Sequence, residues 1–276
     1  MDNTTKDISQ RYWVSEYAPY LTVRSTHNST QSYKEHYHSE LSVGIIKTGS
    51  TCLSLPEQEL VLNKGEVILI EPNLVHACNP LNKSPRSYYM LYIDSNWCCE
   101  TLSTLYGYDV VDFVVDQDTL QLFDCPLESA MDELLEHDSV ENASTVEDIL
   151  FDILSRYSSP IRAQSIEDTL ALKVRERLLQ DVESPPSLDT LSSEFGQTKE
   201  TLIRRFKRYF GITPKAFLNN HRIEKAKFLL KTGKSIVDVA VEVGFSDQSQ
   251  LHKAFVNYTA STPRQYQQVR SIFDNN

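Results

Sequence analysis

The chain has 276 residues, enough for one or two domains that each bury a hydrophobic core. Its formal net charge of −11 would by itself argue against a nucleic-acid partner, but the charge is unevenly distributed. Residues 1–167 contain 10 basic and 26 acidic side chains, whereas residues 168–272 contain 17 basic and 11 acidic ones. The C-terminal segment is therefore basic and suited to phosphate contacts, while the acidic segment must serve another purpose.

Neither a membrane span nor secretion is predicted. No run approaches the 18 apolar residues that a spanning helix needs, and the N-terminus lacks the apolar core of a signal peptide. The cysteines at 52, 78, 98, 99 and 125 are odd in number and lack the spacing of a disulfide framework. We therefore expect a reduced, cytoplasmic setting.

Residues 11–95 are predicted to form short β-strands. The strand candidates are rich in β-branched and aromatic residues and are separated by glycine and proline. They cover residues 41–46, 51–55, 59–62, 67–70 and 88–93. Many short strands at close intervals indicate a β-barrel or jelly roll.

Two pairs of candidate metal ligands lie in this β-rich segment. His36 and His38 are two residues apart, so on a strand both side chains would point to one face, and His76 and Cys78 are spaced in the same way. If the two segments are neighbours, they could hold a transition metal, with Glu40 as a further ligand. The alternative is that these groups are hydrogen-bonded parts of the barrel or contact a ligand, and we expect no cofactor in that case.

Two amphipathic helices are predicted after the strands. Apolar residues recur at helical spacing over residues 123–135 and 146–157, and both segments have acidic outer faces. Packing on the barrel alone and contact with a second copy in a homodimer are both open. The sequence Ser-Ser-Pro at 158–160 then predicts a linker, so the predicted domains are residues 1–160 and 161–276.

Residues 235–266 are predicted to form a helix, a tight turn and a second helix. Ser235 can cap the first helix, Gly244 allows a positive φ at its end, and Ser246 can cap the second. Leu251 and Phe255 are predicted to turn inward. The outward face, which could equally be an ordinary solvated surface, then carries the residues that we predict to contact DNA: Gln248, Ser249, Gln250, His252 and Lys253.

The same pattern occurs 49 residues earlier, as in the pairs Leu202 and Leu251, Phe206 and Phe255, Pro214 and Pro263, and Phe217 and Tyr266. In this first copy Gly196 lies in the turn and Thr198 is the predicted cap. Its outward face carries Lys199, Glu200, Ile203, Arg204 and Lys207. A fixed offset favours a duplicated DNA-binding unit over a helical hairpin duplicated for packing.

The second unit contains the motif GFSDQSQLHKAF at 244–255, followed by TPRQY at 262–266. These residues resemble the DNA-binding domain of the AraC family of bacterial transcription regulators, over residues 166–270. The resemblance implies seven helices, with helix-turn-helix units at about 188–209 and 236–257 joined by a long helix at 219–230. Ile223, Ala226 and Leu230 would line one face of that helix, leaving Arg222, Lys225 and Lys227 available elsewhere. The two recognition helices would enter major-groove segments about 34 Å apart.

The N-terminal motifs HYHSE (36–40) and KGEVILIEPNLVH (64–76) resemble the cupin-like sensor domain of the same family. They depart from metal-binding cupins, because Glu40 follows His38 by only two residues and no glycine precedes His76 in the turn. The segments RYW (11–13), VHACNP (75–80) and SYYMLYID (87–94) resemble a subgroup linked with amino-acid export genes, which implies an amino acid or a similar polar effector.

A set of polar and aromatic residues in this half is predicted to bind the effector: Arg24, His36, His38, Glu40, His76, Cys78, Tyr88 and Tyr92. Arg24 would pair with the carboxylate of a zwitterion and Glu40 with its ammonium group. A surface ion pair or a hydrogen bond at the barrel rim is the alternative for each of these residues.

The sequence therefore predicts an α+β protein with a cupin-like barrel, helices and a C-terminal all-α domain. We expect a sequence-specific regulator, an activator by resemblance, whose partners are double-stranded promoter DNA, RNA polymerase, a small-molecule effector and a second copy of the chain. The bacterial nucleoid is its expected location. One alternative is a metal-dependent cupin enzyme fused to a DNA-binding module, and another is a constitutive regulator whose barrel only dimerises. The sequence has no spacing typical of a catalytic triad, a phosphate-binding glycine loop or paired catalytic carboxylates.

Overall fold

A computed structural model describes residues 10–116, 121–122, 125–160, 169–259, 261–268 and 270–271. Its strands are β1 (Gln10–Val14), β2 (Leu21–Ser29), β3 (Leu41–Thr48), β4 (Thr51–Ser54), β5 (Glu59–Leu62), β6 (Val67–Ile70), β7 (Ala77–Pro80), β8 (Arg86–Ile93), β9 (Phe113–Val115), β10 (Gln121–Leu122), β11 (Ser158–Pro160) and β12 (Arg270–Ser271). Its α-helices are α1 (Ser95–Tyr106), α2 (Leu127–Glu136), α3 (Val140–Tyr157), α4 (Thr169–Leu179), α5 (Leu188–Phe195), α6 (Lys199–Phe210), α7 (Pro214–Lys231), α8 (Ile236–Glu242), α9 (Gln248–Thr259) and α10 (Pro263–Gln267). Within these ranges, no helix has the length and apolar character needed to cross a bilayer.

Two sheets surround the N-terminal core, and we refer to them together as the barrel. The larger has the strand order β10-β6-β3-β8-β2-β1-β12, and the smaller has the order β5-β4-β7. Strand β8 is buried along its whole length because helices cover one of its faces. Tyr89 of β8 donates a hydrogen bond to Asp132 of α2 at 2.6 Å, and Leu134 and Leu150 of α2 and α3 join the same core.

Two parts of the N-terminal half differ from the sequence predictions. Residues 30–40 are irregular rather than a strand, apart from one bridge between His36 and His76. The segment Ser158–Pro160 is not only a linker, since it forms strand β11 and pairs with β9. Phe123, predicted to begin a helix, and residues 161–168, where the predicted domain boundary falls, lie outside the described residues.

The helical half has the predicted arrangement of two helix-turn-helix units, α5–α6 and α8–α9, within seven described helices between residues 169 and 267. The hydroxyls of Thr198 and Ser235 cap α6 and α8 as predicted. The predicted cap at Ser246 is wrong. The carboxylate of Asp247 instead accepts the amide of Gln250 at 2.8 Å, because an acidic group interacts favourably with the positive end of a helix.

The repeated Thr-Pro dipeptide has a structural reason in both copies. Thr213 and Thr262 are the N-caps of α7 and α10, and each is followed by proline in the first turn. Proline fits there because the first-turn amides of a helix have no intrahelical acceptor and its φ is already helical. The repeat therefore encodes the start of the helix that follows each recognition helix.

Helix α7 and the second helix-turn-helix unit dock tightly on the barrel. Ile223 and Leu230 of α7 belong to the same hydrophobic core as the barrel strands. The side chain of Asn220, 1% exposed, accepts the amide of Tyr37 at 3.2 Å and donates to its carbonyl oxygen at 3.0 Å. Strand β12, near the end of the chain, pairs in parallel with β1. The hydrophobic core therefore continues across the two halves of the molecule.

We expect Gly244→Ala to lower the free energy of unfolding by roughly 2–4 kcal/mol, measured by urea denaturation. Gly244 has a φ of 83°, and a methyl group there would lie 2.8 Å from the Val182 carbonyl oxygen. Gly196, at the matching turn, has a φ of 62° and open space around it, so Gly196→Ala should cost about 1 kcal/mol. Equal effects of the two substitutions would contradict this packing.

Asn220→Ala should weaken the docking of the two halves by roughly 1–3 kcal/mol, because it leaves the amide and carbonyl of the half-buried Tyr37 without these partners. Hydrogen exchange should accelerate around residue 37 in the full-length variant. The exposed Asn96→Ala is the matched control and should leave exchange in this segment unchanged.

Candidate functional site

Helix α6 presents the predicted DNA-contacting face of the first unit. Leu202 and Phe206 are buried against the domain core. Of the predicted contact residues, Ile203 is half-buried and four are exposed: Lys199, Glu200, Arg204 and Lys207. Lys199 forms an exposed ion pair with Asp189 at 2.6 Å, so its ammonium group is paired with a carboxylate of α5.

Helix α9 presents the matching face of the second unit. Leu251 and Phe255 are fully buried, as predicted. His252 is half-buried, and Gln248, Ser249, Gln250 and Lys253 are exposed. Both helices therefore bring their predicted contact residues to the surface, and contact with DNA remains a prediction.

Three cations of α7, Arg222, Lys225 and Lys227, are engaged in contacts within the protein. Arg222 donates to the carbonyl oxygen of Val182 at 2.7 Å, and Lys225 lies 3.4 Å from the carbonyl oxygen of Glu242. Lys227 is only 8% exposed and faces the barrel. The prediction that these three side chains are available elsewhere is therefore wrong, because α7 is packed on both sides.

Arg24 lies inside the barrel and contacts the helical half directly. It is 3% exposed and donates through Nη1 to the carbonyl oxygen of Thr259, at the end of α9, at 2.7 Å. Its guanidinium also lies 5.5–5.7 Å from the ring centres of Tyr33, Tyr88 and Tyr92. The predicted effector-binding arginine therefore joins the barrel to the second helix-turn-helix unit.

Three predicted site histidines, His36, His38 and His76, converge beside Arg24. All are buried, and their ring centres lie 4.6–5.2 Å apart. Burial lowers the pKa of all three, and the pKa of His76 falls to about 4. The imidazoles are therefore neutral at pH 7. Lys227 lowers the pKa of His38 further, and the neighbouring histidines do the same for His36.

Cys78 and Glu40 lie apart from this cluster. Within the described residues, the group with metal-ligand geometry consists of the three histidines and does not include the Cys78 thiol. Burial raises the pKa of Cys78 to about 11, so the thiol is protonated at pH 7. Glu40 is half-buried and lines a narrow cleft between the barrel and α7.

That space, which we call the interdomain cleft, is bounded by Tyr12, Thr22, His38, Glu40 and Tyr92 of the barrel and by Lys227, Lys231, Thr259 and Tyr266 of the helical half. Within it, Lys227 forms an ion pair with Glu224 at 2.7 Å. Burial by itself would lower the pKa of Lys227, but Glu224 and Glu40 raise it, so the ammonium group stays charged. The cleft therefore combines charges of both signs with aromatic walls.

Sequence reasoning missed the polar face of α7. Asn220, Glu224, Lys227 and Lys231 follow one another at intervals of four, three and four residues, which places them along one side of a helix. The prediction treated Lys227 as available on another face of α7 and did not consider Asn220, Glu224 and Lys231. The polar stripe was the available signal that this helix buries charged groups against a polar partner surface.

Comparisons with known proteins agree with this architecture. A family model described as an AraC-like ligand binding domain matches residues 18–154, and one described as a helix-turn-helix domain matches residues 191–268. The uncharacterized HTH-type transcriptional regulator YbfI of Bacillus subtilis (strain 168) is 27% identical over 228 residues, covering 80% of this chain and 82% of YbfI. The HTH-type transcriptional activator RhaR of Escherichia coli (strain K12) is 28% identical over 150 residues, covering 51% and 53% respectively.

The fold is similar to that of ToxT from Vibrio cholerae. The ToxT structure from O395 has a TM-score of 0.54 and 15% identity, covering 90% of this chain and 97% of that one. Unsaturated fatty acid bound wild-type ToxT from strain SCE256 has a TM-score of 0.53 and 16% identity, covering 90% and 94%. At these identities the likeness is one of fold.

Paired helix-turn-helix units beside a ligand-binding barrel define a DNA-binding transcription regulator. The chain belongs to the AraC family of these regulators.

Proposed function

We propose that this regulator is an activator whose affinity for promoter DNA is controlled by a small carboxylate-bearing effector bound in the interdomain cleft. One observation carries the proposal: the predicted effector residues of the barrel meet the cations of α7 across this cleft. A molecule bound there would contact both halves at once. Its binding free energy would therefore depend on how the two halves are docked.

The charges of the cleft favour an acidic or zwitterionic effector. Lys227 and Lys231 offer two ammonium groups to a carboxylate, and Arg24 lies nearby in the barrel. Glu40 could accept the ammonium group of an amino acid, in line with the likeness to regulators of amino-acid export. The solved ToxT complex holds an unsaturated fatty acid, which is also a carboxylate. The polar lining of this cleft favours the smaller, more polar members of that class.

Effector binding would change the contacts that hold the helical half in place. The cleft is largely filled by its own side chains, so an entering molecule must displace some of them. A carboxylate that competes for Arg24 would weaken its bond to the end of α9, which joins the two halves. One that competes for Lys227 would weaken the Lys227–Glu224 pair within α7. The recognition helix α9 would then be released or realigned, and the same linkage requires DNA to change the affinity for the effector.

The DNA-binding step would use both exposed recognition faces, on α6 and α9. Arg204 and Lys253 are the exposed cations of these faces that we expect to contact bases or phosphates. Activation and recruitment of RNA polymerase form part of the proposal, supported by the description of the relative RhaR as an activator. A homodimer would place two pairs of recognition helices, α6 and α9 of each copy, on one promoter. The exposed Val140 and Phe151 of α3 offer apolar surface for contact between the two copies.

Arg204→Ala and Lys253→Ala should each weaken DNA binding by roughly 1–3 kcal/mol if they contact bases. The measurement is fluorescence anisotropy of the full-length protein with a duplex that the wild type selects from a random pool. Lys64→Ala removes an exposed cation of the barrel and is the control. Unchanged affinity in both recognition-helix variants would remove the assignment of this DNA-binding face.

Ligand screening should identify a carboxylate that raises the melting temperature of the wild type, since at 100 times its Kd a ligand stabilises by about 2.7 kcal/mol. Lys227→Gln and Glu40→Gln should reduce the shift for an amino acid. For a simple carboxylic acid, only Lys227→Gln, and not Glu40→Gln, should reduce the shift in melting temperature. The exposed Glu57→Gln should change the shift for neither ligand. A barrel that only dimerises would give no shift with any compound.

A further inference from the structure

The three buried histidines of the barrel form a compact donor set. The exposed fractions of His36, His38 and His76 are 4%, 5% and 2%, and one ring nitrogen of each lies within 4.8 Å of the others. Two of these residues come from opposite segments that are held together by paired backbone hydrogen bonds, His36 N to His76 O at 3.0 Å and the reverse at 2.9 Å. The backbone thus fixes the distance between these two rings.

The tautomers of two of the rings follow from their partners. His36 Nδ1 lies 2.7 Å from the carbonyl oxygen of Lys34, and His76 Nδ1 lies 2.9 Å from that of Leu74. A carbonyl oxygen can only accept, so each Nδ1 carries the hydrogen and each Nε2 keeps a lone pair. A backbone carbonyl on the second ring nitrogen is the support that commonly orients histidine ligands of metals.

His38 completes the set and connects it to α7. Its Nδ1 atom is buried, has no hydrogen-bond partner among the residues that the structure describes, and lies 4.0 Å from the carboxylate of Glu224. A small rotation of the ring would allow Nδ1–H to donate to Glu224 and would leave Nε2 free, as in the other two histidines. The third ligand would then be oriented from the helical half of the molecule.

We propose that His36, His38 and His76 bind one imidazole-preferring transition-metal ion, with Zn²⁺ as the reference ion. Zinc–nitrogen bonds of about 2.0–2.1 Å in tetrahedral geometry need nitrogen atoms about 3.3 Å apart, so the rings must close by at most about 1.5 Å. Three neutral imidazoles with no thiolate and no carboxylate among them suit zinc, copper, nickel or cobalt rather than magnesium or calcium.

Charged neighbours set the strength of this site. Arg24 and Lys227 face the histidines and oppose a divalent cation, while Glu224 offsets part of that repulsion. Lys227 is already paired with Glu224, and Arg24 donates to the Thr259 carbonyl oxygen. Removing the carboxylate should therefore weaken metal binding, because it takes away both the orienting acceptor for His38 and the compensating charge.

The experiment titrates chelator-treated, full-length protein with Zn²⁺ or Co²⁺ alone, followed by calorimetry and by the visible absorption of bound Co²⁺. We expect one ion per chain and a tetrahedral Co²⁺ spectrum. His36→Gln, His38→Gln and His76→Gln should each lower the affinity at least 100-fold, and Glu224→Gln should lower it by about 10- to 100-fold. His27→Gln and His137→Gln, at exposed histidines, should bind as the wild type does.

Two outcomes would overturn the proposal. One is a wild-type protein that takes up less than one equivalent of either ion at micromolar concentrations, which needs no variant to interpret. The other is a metal affinity that His36→Gln, His38→Gln and His76→Gln all leave unchanged, which would assign the ion to surface groups. Circular dichroism of each metal-free variant separates lost ligands from lost folding. Since neither DNA nor effector is present, the outcome is independent of the proposed regulatory function.

Discussion

The docking of α7 against the barrel is the constraint on which the rest of the structure depends. A helix that buries Asn220 and Lys227 beside apolar residues is stable only where each polar group finds a partner. The backbone of Tyr37 satisfies Asn220, and Lys227 pairs with Glu224 of the same helix. The bonds of Asn220 with Tyr37 and of Arg24 with Thr259 cross between the two halves and fix the orientation of the helical half, because apolar packing alone would tolerate sliding.

Under the proposed function, the same polar interface is the physical means by which the barrel communicates with the helical half. Buried ion pairs contribute little net stability, since desolvation of the charges offsets their attraction, but breaking one leaves a costly unpaired charge. The Lys227–Glu224 pair lies within α7, beside the cleft that Lys227 lines, so a molecule that competes for Lys227 would leave the Glu224 carboxylate without this partner. The contact of Arg24 with the end of α9 places this sensitivity next to a recognition helix. In this view, the acidic half acts on DNA only through its contacts with the basic half.

The two helix-turn-helix units share a pattern but not an environment. The first unit has its own small core, which includes Val75 of the N-terminal half, whereas the second shares the main core through Leu251 and Phe255. Gly244 is enclosed by the backbone of residues 182 and 183, while Gly196 is open to solvent. The second unit is therefore the one whose position is more tightly tied to the barrel and its cleft.

Local chemistry explains what the sequence by itself determined: the strands, the paired helical units, their glycine turns, the Thr198 and Ser235 caps, and the exposed faces that carry Arg204 and Lys253. Each of these features follows from the types and spacing of residues within a short stretch of the chain. Only the tertiary structure decided that His36 and His38 leave the strand yet stay buried, that Asp247 caps α9 and that Lys227 turns inward. It also brought Arg24 to Thr259 and the three histidines together. Those contacts join segments far apart in the chain, and side-chain spacing carries no information about which distant surfaces meet.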